Sequence, residues 1–365
     1  MKKRILFSVT NDLSYDQRMI RICTTLSTVG YQVKLIGRQL PHSLPLSPQP
    51  FEQKRLYCFF RKGKFFYLEY NLRLFLYLLF HKADIICAID LDTILPVLYT
   101  CKLKKKVPVY DAHEYFTEVP EVIRRPRIQA IWQRVARLAI PQFHYCYTVG
   151  PALAQILQEQ YGPVFSIIRN VPVPMETIAT PVPTEPFIIL YQGVLNEGRG
   201  LEVAIEAMQD IPHAQLWLAG EGELSLQLRK QVQMAHLEDK VKFLGYLSPA
   251  ALKEVTVQAS LGLNLLENSG LSYYYSLANK AFDYIQSGLP SLQMDFPEYR
   301  HLQEKYGVFH LLKELNAKDV AASINNLRPG MPYYNILREN CLQARKMLHW
   351  EEEKKILIQF YEQFD

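Results

Sequence analysis

The sequence predicts an α/β fold of two doubly wound domains that face each other across a cleft. Three observations support this class. Short apolar runs alternate with helical patterns along nearly the whole chain, as expected of parallel sheets covered by helices on both faces. A stretch with five prolines, residues 172–186, separates two alternations of similar length and is predicted to be a linker. The length of 365 residues also favours about two domains.

The first predicted domain, residues 1–171, opens with a strand, a helix and a second strand. The runs Arg4–Val9 and Tyr31–Ile36 are short and apolar, as buried parallel strands are. The loop after the first strand, which contains Asn11 and Asp12, is expected at the carboxyl edge of the sheet, where such folds bind ligands. This loop lacks G-x-G-x-x-G, so no dinucleotide cofactor is expected.

The segment Lys54–Tyr70 interleaves aromatic and basic side chains. We predict a hairpin of two aromatic strands that turns at Lys62 and Gly63, with Arg61 and Lys64 at its rim. Aromatic residues among cations suit a membrane surface or a lipid-phosphate acceptor. A hairpin that covers the sheet and leaves a solvated edge is the alternative interpretation.

Ionisable residues follow two further predicted strands of this domain. Asp90 and Asp92 come just after one strand, and we interpret them as helix caps rather than metal ligands. Asp111, His113 and Glu114 follow the next strand, and three ionisable groups at the carboxyl end of a strand favour a ligand site. A buried histidine held by Asp111 is the alternative.

The second predicted domain, residues 187–345, repeats the alternation of strands and helices. Its first three strands are each followed by a loop with glycine, and these loops are expected to line one side of the cleft. The residues of interest in these loops are Gly193, Arg199, Gly220, Gly245 and Tyr246. A last helix, residues 346–365, is predicted to pack back towards the first domain.

The proposed site of the second domain is organised around a helix predicted over residues 278–287. Gly288 and Pro290 follow its last turn and are typical of a helix end. Ser276 or Asn279 is expected to cap its first turn, because both side chains can accept a backbone hydrogen bond there.

The start of this helix has the properties of an anion site. Backbone N–H groups at a helix start attract an anion, but the dipole contributes only ~0.3–1 kcal/mol, so a diphosphate also needs cations. Lys280 lies in the first turn and can supply one. Asp283, three residues on, shares its face and suits the hydroxyls of a ribose. The alternative is a packing helix on which Lys280 and Asp283 form a surface pair.

The distribution of charge and the cysteine content limit which partners and which cellular compartment we expect. Residues 1–170 carry 24 Lys and Arg and 12 Asp and Glu, a net charge of +12, whereas the remainder has a net charge of −7. A basic half favours contact with an anionic membrane or a lipid-linked acceptor, and no nucleic-acid-binding pattern is present. Six cysteines without metal-site spacing favour a cytoplasmic location, with the inner face of the membrane as a place of peripheral contact.

Eight segments together carry a family resemblance: NDLSYDQRM, DLDT, YDAHEYFTEVPEV, IIRNVP, YQGVLNEGRGLE, LWLAGEGE, VKFLGYLS and LANKAFDYIQSGLP. In this order and spacing they resemble the glycosyltransferases of family 4, which have the GT-B fold of two Rossmann-like domains. The resemblance covers nearly the whole chain. It is strongest to the bacterial members that build cell-surface polysaccharides.

The resemblance implies a retaining, metal-independent transfer of a hexosyl unit. The donor would be a nucleotide-diphosphate sugar, the acceptor a saccharide or a lipid-linked group, and no cofactor would be needed. By motif position Arg199 corresponds to the phosphate-binding cation of the family, Asp283 to its ribose-binding acid and His113 to a residue beside the donor sugar. Gly245 and Tyr246 fall where the backbone contacts the base.

The candidate residues form three groups. The catalytic candidates are His113, Arg199 and Lys280. The donor-binding candidates are Gly193, Arg199, Gly220, Gly245, Tyr246, Tyr275, Asn279, Lys280 and Asp283. The acceptor-side candidates are Asn11, Asp12, Arg18, Asp111 and Glu114.

Three positions depart from the family pattern. Tyr275 and Val194 stand where the family has Glu and Arg, and Asn11-Asp12 replaces a glycine-rich loop. In our interpretation Lys280 replaces the missing cation. The departures leave two alternatives open, a catalytically degenerate nucleotide-sugar-binding subunit and a sugar-nucleotide epimerase on the same fold.

Overall fold

The computed structural model describes residues 2–14, 16–41, 43–175 and 185–365 of the chain. These residues form two compact α/β units, each built on its own parallel sheet. The first unit comprises the chain up to Asn170 together with Glu353–Asp365, and the second comprises Val171–Glu352. The predicted fold class of two Rossmann-like α/β domains is therefore confirmed.

The first unit contains a seven-stranded sheet covered by helices on both faces. Its strands are β1 (Arg4–Ser8), β2 (Gln32–Gln39), β3 (Glu52–Tyr57), β4 (Ile85–Ile89), β5 (Val107–Ala112), β6 (Tyr145–Thr148) and β7 (Phe165–Ile167). Its helices are α1 (Gln17–Thr28), α2 (Gly63–Phe80), α3 (Ile94–Lys104), α4 (Pro120–Ile123), α5 (Pro126–Ala139) and α6 (Pro151–Tyr161). Short 3₁₀ turns cover Leu91–Thr93, Phe116–Glu118 and Ile140–Gln142.

The second unit has the same organisation around six strands. They are β8 (Phe187–Gln192), β9 (Ala214–Ala219), β10 (Val241–Gly245), β11 (Leu261–Asn264), β12 (Ser291–Met294) and β13 (Phe309–Leu312). The helices are α7 (Leu201–Ala207), α8 (Ser225–Met234), α9 (Pro249–Gln258), α10 (Leu271–Tyr274), α11 (Asn279–Gln286), α12 (Pro297–Tyr306), α13 (Ala317–Asn325) and α14 (Pro332–Ala344). The last helix, α15 (Trp350–Glu362), begins in this unit and continues into the first. One 3₁₀ turn covers Met208–Asp210.

Strand order fixes where each unit can bind a ligand. The first sheet runs β3-β2-β1-β4-β5-β6-β7 and the second runs β10-β9-β8-β11-β12-β13, and the paired strands are parallel. The order therefore reverses between β1 and β4 in one unit and between β8 and β11 in the other. Folds of this kind bind ligands at that reversal, which is called the switch point, beyond the carboxyl ends of the strands.

The central strands are buried on both faces, which explains why they are apolar without alternation. Ile5 and Phe7 in β1, and Ile85 and Cys87 in β4, have no solvent-accessible surface. These side chains form the interior of the first unit. They hold the two strands that flank its switch point.

A buried tyrosine fixes α11 to the second sheet. The Tyr284 hydroxyl lies 3.1 Å from the carbonyl oxygen of Leu190 in β8 and 3.2 Å from that of Leu263 in β11. Its ring lies where a Cβ on Gly262 would meet it at 2.6 Å, so only glycine leaves room for it. Helix α11 is thereby held over the switch point of the second unit.

The hairpin predicted over Lys54–Tyr70 is wrong in its second half. Strand β3 ends at Tyr57, and α2 begins at Gly63, so the predicted second strand forms the first turns of a helix. The segment is apolar on almost every side, and it therefore lacks the periodicity that distinguishes a helix from a strand. Within the described parts of the chain, no helix combines the length and apolarity needed to cross a membrane.

The last helix, α15, belongs mostly to the first unit. Tyr361 is buried there, with its ring centroid 6.0 Å from that of Phe7 and 6.4 Å from that of Tyr147. The boundary between the units falls after Glu352, later than residue 345, where the second domain was predicted to end. Residues 176–184 of the predicted linker lie outside the described residues.

Candidate functional site

Both groups of candidate residues lie at the switch points of their own sheets. In the second unit the backbone N–H of Glu267, after β11, donates to the carbonyl of Gly198, after β8, at 3.0 Å. In the first unit the hydroxyl of Thr10, after β1, donates to the Asp92 carboxylate, after β4, at 2.5 Å. The loops that frame each switch point are therefore joined by hydrogen bonds.

Three glycine-containing loops of the second unit close on one another. A Cβ on Gly220 would lie 1.9 Å from the carbonyl oxygen of Gly193, so no side chain fits between these two loops. The N–H of Gly193 donates to the carbonyl of Ala219 at 2.9 Å. Gly245 forms an isolated antiparallel bridge with Gly220. The predicted donor-site glycines thus share one backbone surface.

Arg199 lies at the same carboxyl edge of the second sheet, just before α7. Its guanidinium carbon is 4.8 Å from the centroid of the Tyr273 ring. The side chain is half-buried, and its Nε is buried without a hydrogen-bond partner among the described residues. A Cβ on Gly200 would lie 2.2 Å from the carbonyl oxygen of Leu265, so the backbone beside Arg199 packs directly on the segment after β11.

Lys280, in the first turn of α11, faces the same loops. Its Nζ lies 3.8 Å from the centroid of the Tyr191 ring and 3.4 Å from the position that a Cβ on Gly193 would occupy. Burial, and then the positive charge of Arg199, hold the pKa of Lys280 well below its usual value, while Asp283 opposes the shift. Lys280 is therefore close enough to both Arg199 and Asp283 for their charges to act on it.

Asp283 has a fixed orientation. Its carboxylate accepts a hydrogen bond from Gln192 Nε2 at 2.8 Å, and the Oε1 of Gln192 accepts one from the Thr256 hydroxyl at 3.0 Å. Gln192 is buried, whereas Asp283 is half-buried. The carboxylate is therefore held in one orientation by Gln192.

The start of α11 differs from the prediction. Its N-cap is Ala278, with no side-chain cap among the described residues, so the predicted capping by Ser276 or Asn279 is wrong. The Ser276 hydroxyl donates instead to the carbonyl of Tyr273 at 2.8 Å. Because no described side chain caps this end, the amino end of α11 is still a suitable place for an anion.

Tyr299, which no sequence pattern predicted, supports the start of α11. This residue lies on α12 and is buried, and its hydroxyl accepts the N–H of Ala278 at 3.0 Å. Burial raises the pKa of Tyr299, while the Ala278 hydrogen bond and the charge of Arg199 lower it, so the hydroxyl also lies near Arg199. No sequence pattern relates a tyrosine to a loop 21 residues earlier.

Three further donor-site candidates are Tyr246, Asn279 and Tyr275. Tyr246 follows β10 and is 70% exposed. Asn279 is the first residue of α11 and is exposed. Tyr275 is half-buried, with its ring edge-on to that of Tyr274 at 5.1 Å between centroids. The donor roles of these three residues stay predictions.

The site of the first unit is built on a buried ion pair. The Arg18 guanidinium lies 3.1 Å from the Asp111 carboxylate and also donates to the carbonyl of Ile168 at 3.0 Å. Asp111 in turn lies 2.9 Å from Nε2 of His113. The ion pair therefore holds His113 in place. Arg18 and Asp111 are only 4% and 0% exposed, which is unfavourable for direct contact with an acceptor.

His113 lies between two carboxylates. Its Nδ1 is 3.6 Å from Asp90, and its Nε2 faces Asp111. Burial lowers the pKa of His113, but Asp111 and then Asp90 outweigh it and raise the pKa above the usual value. Burial likewise favours neutral Asp111, but Arg18 and His113 bring its pKa below the usual value. The cluster therefore favours a protonated histidine against two carboxylates.

The helix-cap interpretation of Asp90 and Asp92 is wrong. Asp90 has a left-handed φ of 56° and no side-chain cap bond, and its carboxylate accepts the backbone N–H of His113 at 2.8 Å. Asp92 is buried and accepts the Thr10 hydroxyl. Burial, and then the negative charge of Asp90, raise the pKa of Asp92 to about 7. Both carboxylates thus bind neighbouring loops rather than the next helix.

The other acceptor-side candidates lie at the surface of this edge. Asn11 is exposed and donates to the Asp16 carboxylate at 2.6 Å. The Asp12 carboxylate accepts the N–H of Ser14 at 3.0 Å. Glu114 is exposed beside His113. Among the described residues, no group of three or more His, Cys, Asp or Glu side chains is arranged to hold a metal ion.

Comparison with protein families is consistent with the second-unit site. The family model described as glycosyl transferases group 1 matches residues 176–272, a range that includes Gly193, Arg199, Gly220 and Gly245. A search among curated proteins found no match. The family match and the fold together support a glycosyltransferase.

Solved structures of similar fold cover nearly the whole chain. Sucrose-phosphate synthase from Thermosynechococcus elongatus has a TM-score of 0.79 at 16% identity, over 99% of each chain. HepE from Anabaena, in complex with UDP and glucose, has a TM-score of 0.74 at 14% identity, over 99% of each chain. WaaG, a glycosyltransferase involved in lipopolysaccharide biosynthesis, has a TM-score of 0.73 at 16% identity, over 97% of this chain and 99% of that one. At these identities the likeness establishes the GT-B fold alone.

We expect His113 to titrate above its ordinary pKa of about 6.5 because two carboxylates face its ring. The Asp111→Asn substitution should lower that pKa, and NMR titration of the His113 ring measures both values. Protonated His113 stabilises the fold below pH ~6.5, and this contribution is lost as the pH rises through the folded-state pKa. Asp111 stabilises the fold above pH ~3.9, and this contribution is lost as the pH falls through its lowered pKa.

The same spectra contain an internal control. Burial lowers the pKa of His310, so this ring should titrate below the ordinary value. If Asp111→Asn fails to fold, Asp90→Asn removes the other carboxylate and should lower the His113 pKa by a smaller amount. A His113 pKa at or below that of His310 would contradict the assigned electrostatics.

Proposed function

We propose that this protein is a retaining, metal-independent glycosyltransferase of family 4 that takes a hexosyl unit from a nucleotide-diphosphate sugar. One observation carries the proposal. Arg199 and Lys280 place two basic side chains beside the start of α11, and the Nε of Arg199 has no partner among the described residues. A diphosphate is the ligand class that suits these side chains and a helix start together, because its negative charge also favours the protonated form of Lys280.

Stabilising the leaving group is the main catalytic task in this proposal. During transfer the bond from the anomeric carbon to the diphosphate oxygen breaks and a bond to the acceptor oxygen forms. The proton of the acceptor hydroxyl passes to the released diphosphate. Charge therefore accumulates on the diphosphate, where Arg199, Lys280 and the N–H groups of α11 are already oriented. No cofactor is needed for this chemistry.

Other residues then bind the remaining parts of the donor. Asp283 accepts the ribose hydroxyls, because its carboxylate lies one turn beyond Lys280 and is oriented by Gln192. The backbone beside Gly245 and Tyr246 contacts the base. His113 binds hydroxyls of the sugar in the first unit, where its charge is fixed by the two neighbouring carboxylates.

The acceptor is proposed to be a saccharide or a lipid-linked group in the synthesis of a surface polysaccharide. The net charge of +12 over residues 1–170 favours an anionic acceptor or membrane. All six cysteines are free and buried, which suits the reducing cytoplasm, with peripheral contact at the inner face of the membrane. Nucleic acid is not an expected partner.

A second candidate function is a nucleotide-sugar-binding subunit without activity. It is favoured by Tyr275 and by Val194, which is 53% exposed beside the proposed diphosphate site and carries no charge. Such a protein would bind the nucleotide diphosphate but would neither transfer the sugar nor hydrolyse the donor. An epimerase, the third alternative, would change the sugar without any acceptor. Product analysis with and without native lipid extract separates the three.

The Arg199→Ala substitution should abolish transfer while the fold survives. Removing one preorganised group that stabilises the negative charge developing on the leaving diphosphate lowers turnover by a factor of ~10² to 10³. Donor turnover is measured together with the melting temperature. Arg328→Ala is the matched control, since Arg328 also lies 4.8 Å from an aromatic ring, that of Phe187 at the start of β8. Undiminished transfer by Arg199→Ala would refute its role.

Lys280 should take up a proton when a nucleoside diphosphate binds. Its pKa is low in the free protein, and the diphosphate charge raises it. Affinity for UDP should therefore fall as the pH rises through the free-protein pKa of Lys280. Calorimetry in two buffers of different ionisation enthalpy measures the uptake. Lys280→Met should abolish the uptake, and equal uptake by this variant would show that the proton goes elsewhere.

The Tyr299→Phe substitution should weaken UDP binding about fivefold to tenfold, because one hydrogen bond to the start of α11 is lost. Tyr334→Phe is the matched control. The Tyr334 hydroxyl donates to the carbonyl of Ser260 at 2.8 Å and is equally buried. Both variants should lose similar thermal stability, but only Tyr299→Phe should lose affinity. Equal affinities would leave Tyr299 with a purely structural role.

A further inference from the structure

Helix α2 of the first unit has an exposed apolar face along its whole length. The side chains on this face recur every three or four residues, as one side of a helix requires. We call them the outer stripe: Phe65, Leu68, Leu72, Leu76 and Phe80, which are 53%, 68%, 57%, 46% and 84% exposed. Apolar surface this continuous marks an interaction site on a soluble unit.

The opposite face of the same helix is also apolar and is buried in the unit. Phe66, Tyr70, Leu74 and Leu78 have at most 4% of their surface exposed. A helix that is apolar on all sides is normally covered on all sides. The 18 residues of α2 extend over about 27 Å, so the uncovered area is long as well as apolar.

The start of α2 combines exposed aromatic and basic side chains. Phe59 and Phe60 precede the helix and are 70% and 52% exposed. Their backbone N–H groups donate to the Glu69 carboxylate at 3.0 and 2.9 Å, which fixes this corner. Arg61 and Lys62 follow directly and are exposed. Aromatic rings beside cations are the composition found where a protein meets lipid headgroups.

The end of α2 is also basic. The Lys104 ammonium donates to the carbonyl oxygens of Leu78 and Leu79 at 3.1 Å each, which brings the end of α3 beside the end of α2. Lys102 and Lys105, on either side of Lys104, are exposed. The apolar stripe therefore has cations at both ends.

We propose that the outer stripe of α2 docks onto an anionic lipid bilayer, with the helix lying in the plane of the headgroups. The apolar side chains enter the acyl boundary and the cations at both ends bind lipid phosphates. Charge favours this occupant over a second copy of the chain. Two copies would bring together surfaces from a unit whose first 170 residues carry a net charge of +12.

Binding of the full chain to vesicles tests the proposal. The protein should sediment with vesicles of phosphatidylglycerol and phosphatidylcholine, but far less with pure phosphatidylcholine, and high salt should weaken the binding. The double substitution Leu68→Ser and Leu72→Ser should reduce binding about tenfold or more. Both residues are exposed, so the melting temperature should be unchanged. Arg61→Glu with Lys62→Glu should reduce binding to the anionic vesicles as well.

Leu226→Ser with Met234→Ser is the matched control. These side chains of α8 are 76% and 83% exposed but lie on the second unit, and their loss should leave vesicle binding unchanged. An equal loss in the control pair would overturn the assignment to α2. So would wild-type protein that ignores anionic vesicles, or a concentration-dependent dimer that the Leu68 and Leu72 substitutions abolish.

The docking surface rests on the membrane contact proposed above, and experiment can separate it from the donor site. UDP affinity of the α2 variants in solution should equal that of the wild type, because the outer stripe shares no residue with the donor candidates. Lost vesicle binding with normal UDP binding supports the docking surface. Normal vesicle binding by the stripe variants, together with lost UDP binding by Arg199→Ala, would overturn the surface and leave the donor site intact.

Discussion

The candidate site of the second unit depends on a backbone contact that leaves no room for a side chain. Gly220 approaches the carbonyl oxygen of Gly193 so closely that a Cβ would lie 1.9 Å away. This contact brings the loop after β9 onto the loop after β8, and Gly245 then joins the same surface through its bridge with Gly220. Any larger residue at position 220 would push the loop after β9 away from the loop after β8, whose Gly193 lies beside the Lys280 ammonium.

The two units treat charge in opposite ways. In the first, Arg18, Asp111, Asp90 and His113 pair with one another, so the histidine is held in position and its protonated form is favoured. In the second, burial, and then the positive charge of Arg199, disfavour the protonated form of Lys280. A cluster whose positive and negative side chains are paired is suited to orienting a neutral ligand. Two basic side chains that repel each other are suited to binding an anion.

Sequence patterns predicted the elements that are determined by interactions between residues close in the chain. The alternation of strands and helices and the end of α11 at Gly288 follow from burial and from glycine at a left-handed position, with φ of 66°. Tyr299 could not be predicted, because its partner Ala278 is set by tertiary packing. The predicted caps at Asp90 and Ser276 failed because each side chain has another partner: Asp90 accepts the N–H of His113 from the next strand's loop, and the Ser276 hydroxyl donates to the carbonyl of Tyr273, three residues earlier. Only the first turns of α2, before Leu72, were mistaken for a strand, because the helix is apolar on both faces.

The position of the last helix has a consequence for how the chain folds during synthesis. The first unit is discontinuous, since residues 353–365 complete a sheet-and-helix body that is otherwise made from the chain up to Asn170. The ribosome makes all of the second unit before it makes Tyr361, whose ring covers Phe7 and Tyr147. Until then the aromatic surface around Phe7 and Tyr147 in the first unit stays uncovered. The second unit is therefore the first that can fold completely.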